Sequence, residues 1–109
     1  MTRLVLTPAA QANLFEIASY IEKASGSIEV ASTFIEKLLN KCEDLAALPA
    51  RVGRERRELL PGLCSTTYGN YVIFFHYTVL REERQIFEVV NILERHRDVE
   101  AYFRRKRGR

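Results

Sequence analysis

At 109 residues and a formal net charge of +3, the chain is long enough for one hydrophobic core and too short for two. Apolar residues make up 47% and charged residues 28%, with three prolines and five glycines, a balance that excludes a largely disordered or collagen-like chain. The charge is divided: residues 1–50 sum to −2 and residues 51–109 to +5, so the second half favours acidic partners, whether nucleic acid, an acidic protein segment or an anionic membrane.

Cys42 and Cys64 form no CxxC pair and leave no second pair for a zinc site. Cys42 falls on an apolar helical stripe and reads as a small core residue. No charged start followed by an apolar h-region is present, and no apolar run approaches the ~18 residues of a membrane span. The expectation is a cytoplasmic protein with reduced thiols, no membrane contact, no metal and no cofactor.

In chain order, residues 3–6 predict a short strand that stops at Thr7-Pro8, where Thr7 can cap a helix and Pro8 suits its first turn. Leu14, Ile17, Ala18 and Ile21 recur at helical spacing and predict a helix over residues 8–24. Ser25-Gly26-Ser27 ends it, and Ser27 with Glu29 starts a second helix whose stripe is Ala31, Phe34, Ile35, Leu38, Cys42 and Leu45, closed by Pro49. Two helices joined by three small residues predict an antiparallel hairpin, which needs a partner surface because isolated helices of this length are marginal in water.

Residues 56–60, 65–68, 71–77 and 85–93 predict strands, separated by Pro61-Gly62, Gly69-Asn70 and a polar tip at residues 81–84. Residues 71–77 are apolar on both faces except at His76, as a central strand should be. Alternation places Phe87, Val89 and Leu93 on one face of the last strand. The expected fold class is therefore α+β: an N-terminal strand and a two-helix hairpin packed on a small, mainly antiparallel sheet, with the other sheet face partly open. Val99, Tyr102 and Phe103 suit a short helix or turn that docks back. Residues 1–103 then make one domain, and residues 104–109 a basic, frayed tail.

Candidate chemistry is sparse. A nuclease using the RNA 2′-hydroxyl needs a base, an acid and a cation, and His96, Arg54, Arg57 and Tyr102 could serve. No spacing ties these residues into one pocket. His76, alone in an apolar strand, reads as a histidine with one satisfied hydrogen bond. Arg54, Arg56 and Arg57 alternate with Glu55 and Glu58, which fits either a guarded sheet edge or a patch for an acidic partner. The basic tail would add salt-sensitive, nonspecific attraction to phosphates. Phe15 and Tyr20 lie off the first helix's main stripe and suggest a partner groove.

Taken together, Ile17-Ala-Ser-Tyr-Ile21, Ala31 and Phe34, Leu48-Pro49, Gly53-Arg54, Arg57-Glu58-Leu59, Pro61-Gly62-Leu63, Tyr71-Val-Ile-Phe-Phe75, Ile92-Leu93 and Arg97-Asp98 resemble the RelE/ParE superfamily of type II toxins. The similarity spans residues 3–103 and is greatest to the ParE branch. It implies a toxin neutralised by a cognate ParD-like antitoxin, which would lay a helix and an extended stretch over the hairpin and sheet edge. Leu14, Ile17 and Tyr20 would lie beside or within that groove.

ParE toxins inhibit DNA gyrase by protein contact, without catalysis of their own; RelE toxins cleave mRNA on the ribosome. The aromatic strand at residues 71–77 lacks the cationic wall of RelE-type nucleases. Near the end, Glu94 stands where ParE sequences commonly carry histidine, and His96 adds an acid/base group. Arg95, His96, Arg97, Tyr102 and Phe103 are expected to contribute to target binding or toxicity, and operator DNA is expected to be contacted only indirectly, through the antitoxin. A ribosome-dependent, metal-independent nuclease and a non-toxic antitoxin-binding module are the alternatives.

Overall fold

In a computed structural model, which describes residues 2–79 and 85–107, the chain forms β1 (Thr2–Leu6), α1 (Pro8–Ser25), α2 (Ile28–Ala47), β2 (Arg54–Glu55), β3 (Cys64–Tyr68), β4 (Tyr71–Val79), β5 (Gln85–Glu94) and α3 (Val99–Arg107). The expected tip at residues 81–84 and residues 108–109 of the expected tail lie outside the described residues. One five-stranded sheet runs in the order β1-β5-β4-β3-β2, with β1 parallel to β5 and every other pair antiparallel.

Local chemistry sets the helix ends. Thr7 Oγ1 accepts from the Ala10 N–H at 3.0 Å, and Pro8 occupies the first turn, where no N–H is needed. Gly26, at φ 70°, closes α1 by donating its N–H to the Glu22 carbonyl at 2.8 Å. Ser27 caps α2 through the Val30 N–H, and Glu29 lies in the first turn.

The hairpin covers one sheet face. Ala10, Ile17, Leu38, Cys42, Leu45 and Ala46 pack there with Ile73, Phe75, Phe87, Val89 and Ile92. Phe75 and Phe87 stack with centroids 4.5 Å apart, and Tyr77 meets both rings edge-on.

The opposite face is less open than expected. Leu59, Leu63, Phe74, Leu93 and Phe103 form a second buried cluster there, flanked by Leu60, Val72, Val90, Val99 and Tyr102. Two segments that read differently in the sequence supply its cover. Residues 56–60 are not a strand: the N–H groups of Leu59 and Leu60 both return to the Arg56 carbonyl, and Arg56 donates to Leu63. That compact turn satisfies its own backbone, so its leucines fold inward without a strand partner. The other segment is α3, which continues past residue 103 to Arg107, where a frayed tail was expected. Asp98 Oδ1 caps it through the Ala101 N–H, and its inner face is held by the second cluster.

Leu93 also changes sides. The β4–β5 register pairs Phe75 with Val89 but Phe74 with Asn91, so Val90 is an extra, bulged residue. The bulge shifts the alternation by one, which sends Ile92 to the helix face with Phe87 and Val89 and Leu93 to the second cluster.

Candidate functional site

Two exposed regions flank the β3–β4 turn. The first is the turn after β5. Arg95, His96 and Arg97 are exposed there, and the turn is pinned by the Arg95 N–H donating to the Asn70 carbonyl at 2.8 Å and the Arg97 N–H to the Glu94 carbonyl at 3.1 Å. The Arg97 guanidinium lies 5.0 Å from the Tyr102 ring centroid, a cation–π contact that aligns it with α3. The half-buried Tyr102 hydroxyl in turn receives the Asn91 amide at 2.7 Å.

Phe103 does not belong to that surface. It is 1% exposed and packs edge-on against Phe74 at 5.1 Å, so it anchors α3 from beneath. Amphipathic spacing alone could not separate Tyr102, which straddles the boundary, from Phe103, which lies beneath it.

The residues of the nuclease reading are dispersed. Arg54 begins β2 and pairs with Ser65, which pairs with Phe74, which pairs with Asn91; three inter-strand steps separate β2 from β5, roughly 14 Å. Arg57 donates to Glu55 at 3.1 Å on the exposed surface and lines a pocket of about 360 Å³ with Arg51, Glu55, Leu63, Cys64 and Tyr77. His96 and Tyr102 do not line it, and His96 makes no hydrogen bond or ion pair with Arg54 or Arg57. Burial raises the Cys64 thiol in that pocket above its usual range, with Glu55 adding to the effect and Arg51 opposing it.

Arg56 has a structural task, since its guanidinium lies 5.7 Å from the Phe74 ring centroid and donates to Ser65 and Glu58. The Glu58 bond holds that carboxyl below the usual carboxylate range. His76 pairs with Glu88 on the neighbouring strand.

The second exposed region is the outer surface of the hairpin. Phe15 is 79% and Tyr20 66% exposed, and both border a shallow depression with Glu16, Ser19 and Lys23. On α2, Val30 and Phe34 border a second depression with Glu29, Thr33 and Lys37. Phe34 also approaches Tyr68 and Tyr71 at centroid distances of 6.0 and 5.7 Å, which ties this patch to the β3–β4 turn. Phe34 lies on the apolar stripe of α2 and also packs against the first cluster, and Val30, one turn before it, extends the same side to the surface.

Of the residues expected in a partner groove, Tyr20 is exposed and Leu14 half-buried against the core. Ile17 is 6% exposed and sits within the first cluster, because the middle of α1 faces the sheet. Beside the α2 patch, β2 pairs only with Cys64 and Ser65, so residues 66–68 of β3 have no strand on their outer side among the described residues. No helix among the described residues is long and apolar enough to cross a membrane.

A helix hairpin on one face of a five-stranded sheet and a short C-terminal helix on the other define a fold of the RelE/ParE type. The family described as "ParE toxin of type II toxin-antitoxin system, parDE" matches residues 4–99. The chain is similar to Toxin ParE1 of Mycobacterium tuberculosis in strains CDC 1551 / Oshkosh and ATCC 25618 / H37Rv, with 30% identity over 99 residues, covering 91% of this chain and 95% of each relative. Its fold is similar to a solved chain described as "Chromosomal ParDE TA system from P. aeruginosa", with a TM-score of 0.69 at 18% identity, covering 86% of this chain and 96% of the other. The chain belongs to the ParE toxin family of type II toxin–antitoxin systems.

Proposed function

We propose that this ParE-family toxin inhibits growth by binding DNA gyrase in the cytoplasm through the turn at Arg95, His96 and Arg97, without catalysis of its own, and that a ParD-like antitoxin neutralises it. The observation that carries the reading is the dispersal of the alternative catalytic set, with Arg54 and Arg57 at the β2 edge and His96 beyond the end of β5. Acid/base catalysis needs its groups within hydrogen-bond reach of one reacting centre. An exposed cationic turn on a rigid sheet suits recognition of an acidic protein surface instead.

The antitoxin reading is supported by the apolar depressions around Phe15, Tyr20, Val30 and Phe34 and by the open edge of β3. A helix fits the first and an extended segment the second, by groove filling and strand addition. Operator DNA would be contacted by the antitoxin, with this chain carried along. The exposure of His96 beside Arg97 and Tyr102 keeps the ribosome-dependent nuclease as a second reading.

The test runs purified chain in parallel with gyrase and with a ribosomal translation reaction. Supercoiling should fall while the message stays intact, and added antitoxin should restore supercoiling. Cleavage of the message with normal supercoiling would replace this reading with the nuclease one. An effect in neither assay, with antitoxin still bound, would leave a non-toxic binding module.

A further inference from the structure

We infer that Asn91 is a positioning residue for the exposed turn: its buried carboxamide ties α3 to α1 through Tyr102 and Asn13 and so fixes where Arg97 is presented. This rests on the proposed role of the turn in target contact.

Asn91 is 0% exposed, an unusual place for a carboxamide. Its Nδ2 donates to Asn13 Oδ1 at 2.9 Å and to Tyr102 Oη at 2.7 Å. The orientation of these groups follows from one backbone contact. The Ile92 N–H lies 3.0 Å from the same Asn13 oxygen, and an N–H can only donate, so Asn13 must turn its carbonyl oxygen toward β5. The Asn91 atom facing that oxygen must then be the amide nitrogen. Its second hydrogen is left for the tyrosine.

The arrangement also has a cost. Asn91 Oδ1 is buried with no hydrogen-bond partner among the described residues, so a leucine, which has the same branching but apolar ends, would spare the desolvation of a carboxamide. What a leucine would lose is direction. The three-residue chain joins the first helix, the bulged strand and the last helix at a single point, beyond where β1 stops pairing with β5 at Val89. Tyr102, held there by its hydroxyl, offers its ring to the Arg97 guanidinium. Apolar packing of Phe103 holds α3 against the sheet, whereas the Asn91 bond sets the tilt of the Tyr102 ring.

The experiment uses the full-length chain as wild type, Asn91→Leu, Tyr102→Phe and the double variant. Three quantities are measured for each: antitoxin affinity, amide hydrogen exchange, and inhibition of supercoiling well below the melting temperature. Each single variant should keep antitoxin affinity within about threefold, speed exchange in residues 99–105 by about tenfold while α2 is unchanged, and weaken inhibition by about tenfold. The double variant should be no worse than the worse single, because both remove the same bond. Unchanged exchange in α3 for Tyr102→Phe, which retains the ring and the fold, would overturn the inference, as would losses that multiply in the double variant. If the wild-type chain leaves supercoiling untouched, the gyrase reading fails, and the exchange data with their double-variant comparison still decide the positioning role.

Discussion

The hydroxyl of Thr7 donates to the carbonyl of Val90 at 2.7 Å while accepting the Ala10 N–H at 3.0 Å. One side chain therefore caps α1 and satisfies the bulged residue of β5. The Thr7 N–H adds a bond to the Val89 carbonyl at 3.1 Å, directly after β1 stops pairing. The start of the hairpin is thus registered on the strand whose far end carries the Arg95 turn.

Thr7→Val keeps the shape of the side chain and removes both hydroxyl bonds. The expected loss of stability is about 2 kcal/mol, from a lost cap and an unsatisfied carbonyl. Thr7→Ser should recover most of it. Urea unfolding measures both, and equal stability for valine and threonine would contradict the dual role.

At Gly53, φ is 93°, and a Cβ would come within 2.5 Å of Phe75 Cζ and 3.1 Å of the Ser65 carbonyl oxygen. Gly62 has a similar φ of 78° but open space around it. Gly62→Ala should cost about 1 kcal/mol from backbone strain alone. Gly53→Ala should cost distinctly more, because it also displaces a core ring. Thermal unfolding of the two variants side by side checks the difference.

The helices were legible because their signals are local: Thr7-Pro8 and Ser27 at the starts, and apolar spacing through Leu38, Cys42 and Leu45. The side that Leu93 takes was not, since the bulge at Val90 is held by Thr7 and Asn13, which lie far away in sequence. Residues 56–60, Arg-Arg-Glu-Leu-Leu, contain no β-branched or aromatic residue to favour a strand, and their bonds close within the turn. The Arg95, His96 and Arg97 turn could be found because it is short, charged and follows an apolar strand. The burial of Phe103 depends on the layer that covers the second sheet face, which helical periodicity does not contain, whereas Ile17 lies on the apolar stripe that periodicity does show.

Ile17 and Tyr20 should therefore separate. Tyr20→Glu and Phe15→Glu place a charge on an exposed apolar patch and should weaken antitoxin binding at least about tenfold with little change in melting temperature. Ile17→Ala should instead cost about 3 kcal/mol of stability through a core cavity. Calorimetric titration with antitoxin, paired with thermal unfolding, distinguishes the two behaviours.

Burial, with a smaller contribution from Glu43, pushes the Cys42 thiol up to about 11, against 9.0 for a free thiol. The folded chain thus keeps the thiol protonated where the unfolded chain ionises it. Its contribution to stability is complete below pH 9 and is lost as pH rises toward 11, by about 2 to 3 kcal/mol. Cys42→Ala should flatten that part of the pH–stability curve. In the native state at neutral pH, an alkylating reagent should label Cys64 well before Cys42, which is fully buried.

The central claim is that the turn after β5 meets the target while the hairpin meets the antitoxin. The most direct measurement is gyrase supercoiling titrated with wild-type chain and with a variant carrying Arg95→Ala, His96→Ala and Arg97→Ala, the two matched for antitoxin affinity. The wild type should inhibit strongly and the variant at least about a hundredfold more weakly, as expected when several exposed charged contacts are removed together. Equal inhibition by both proteins would contradict it.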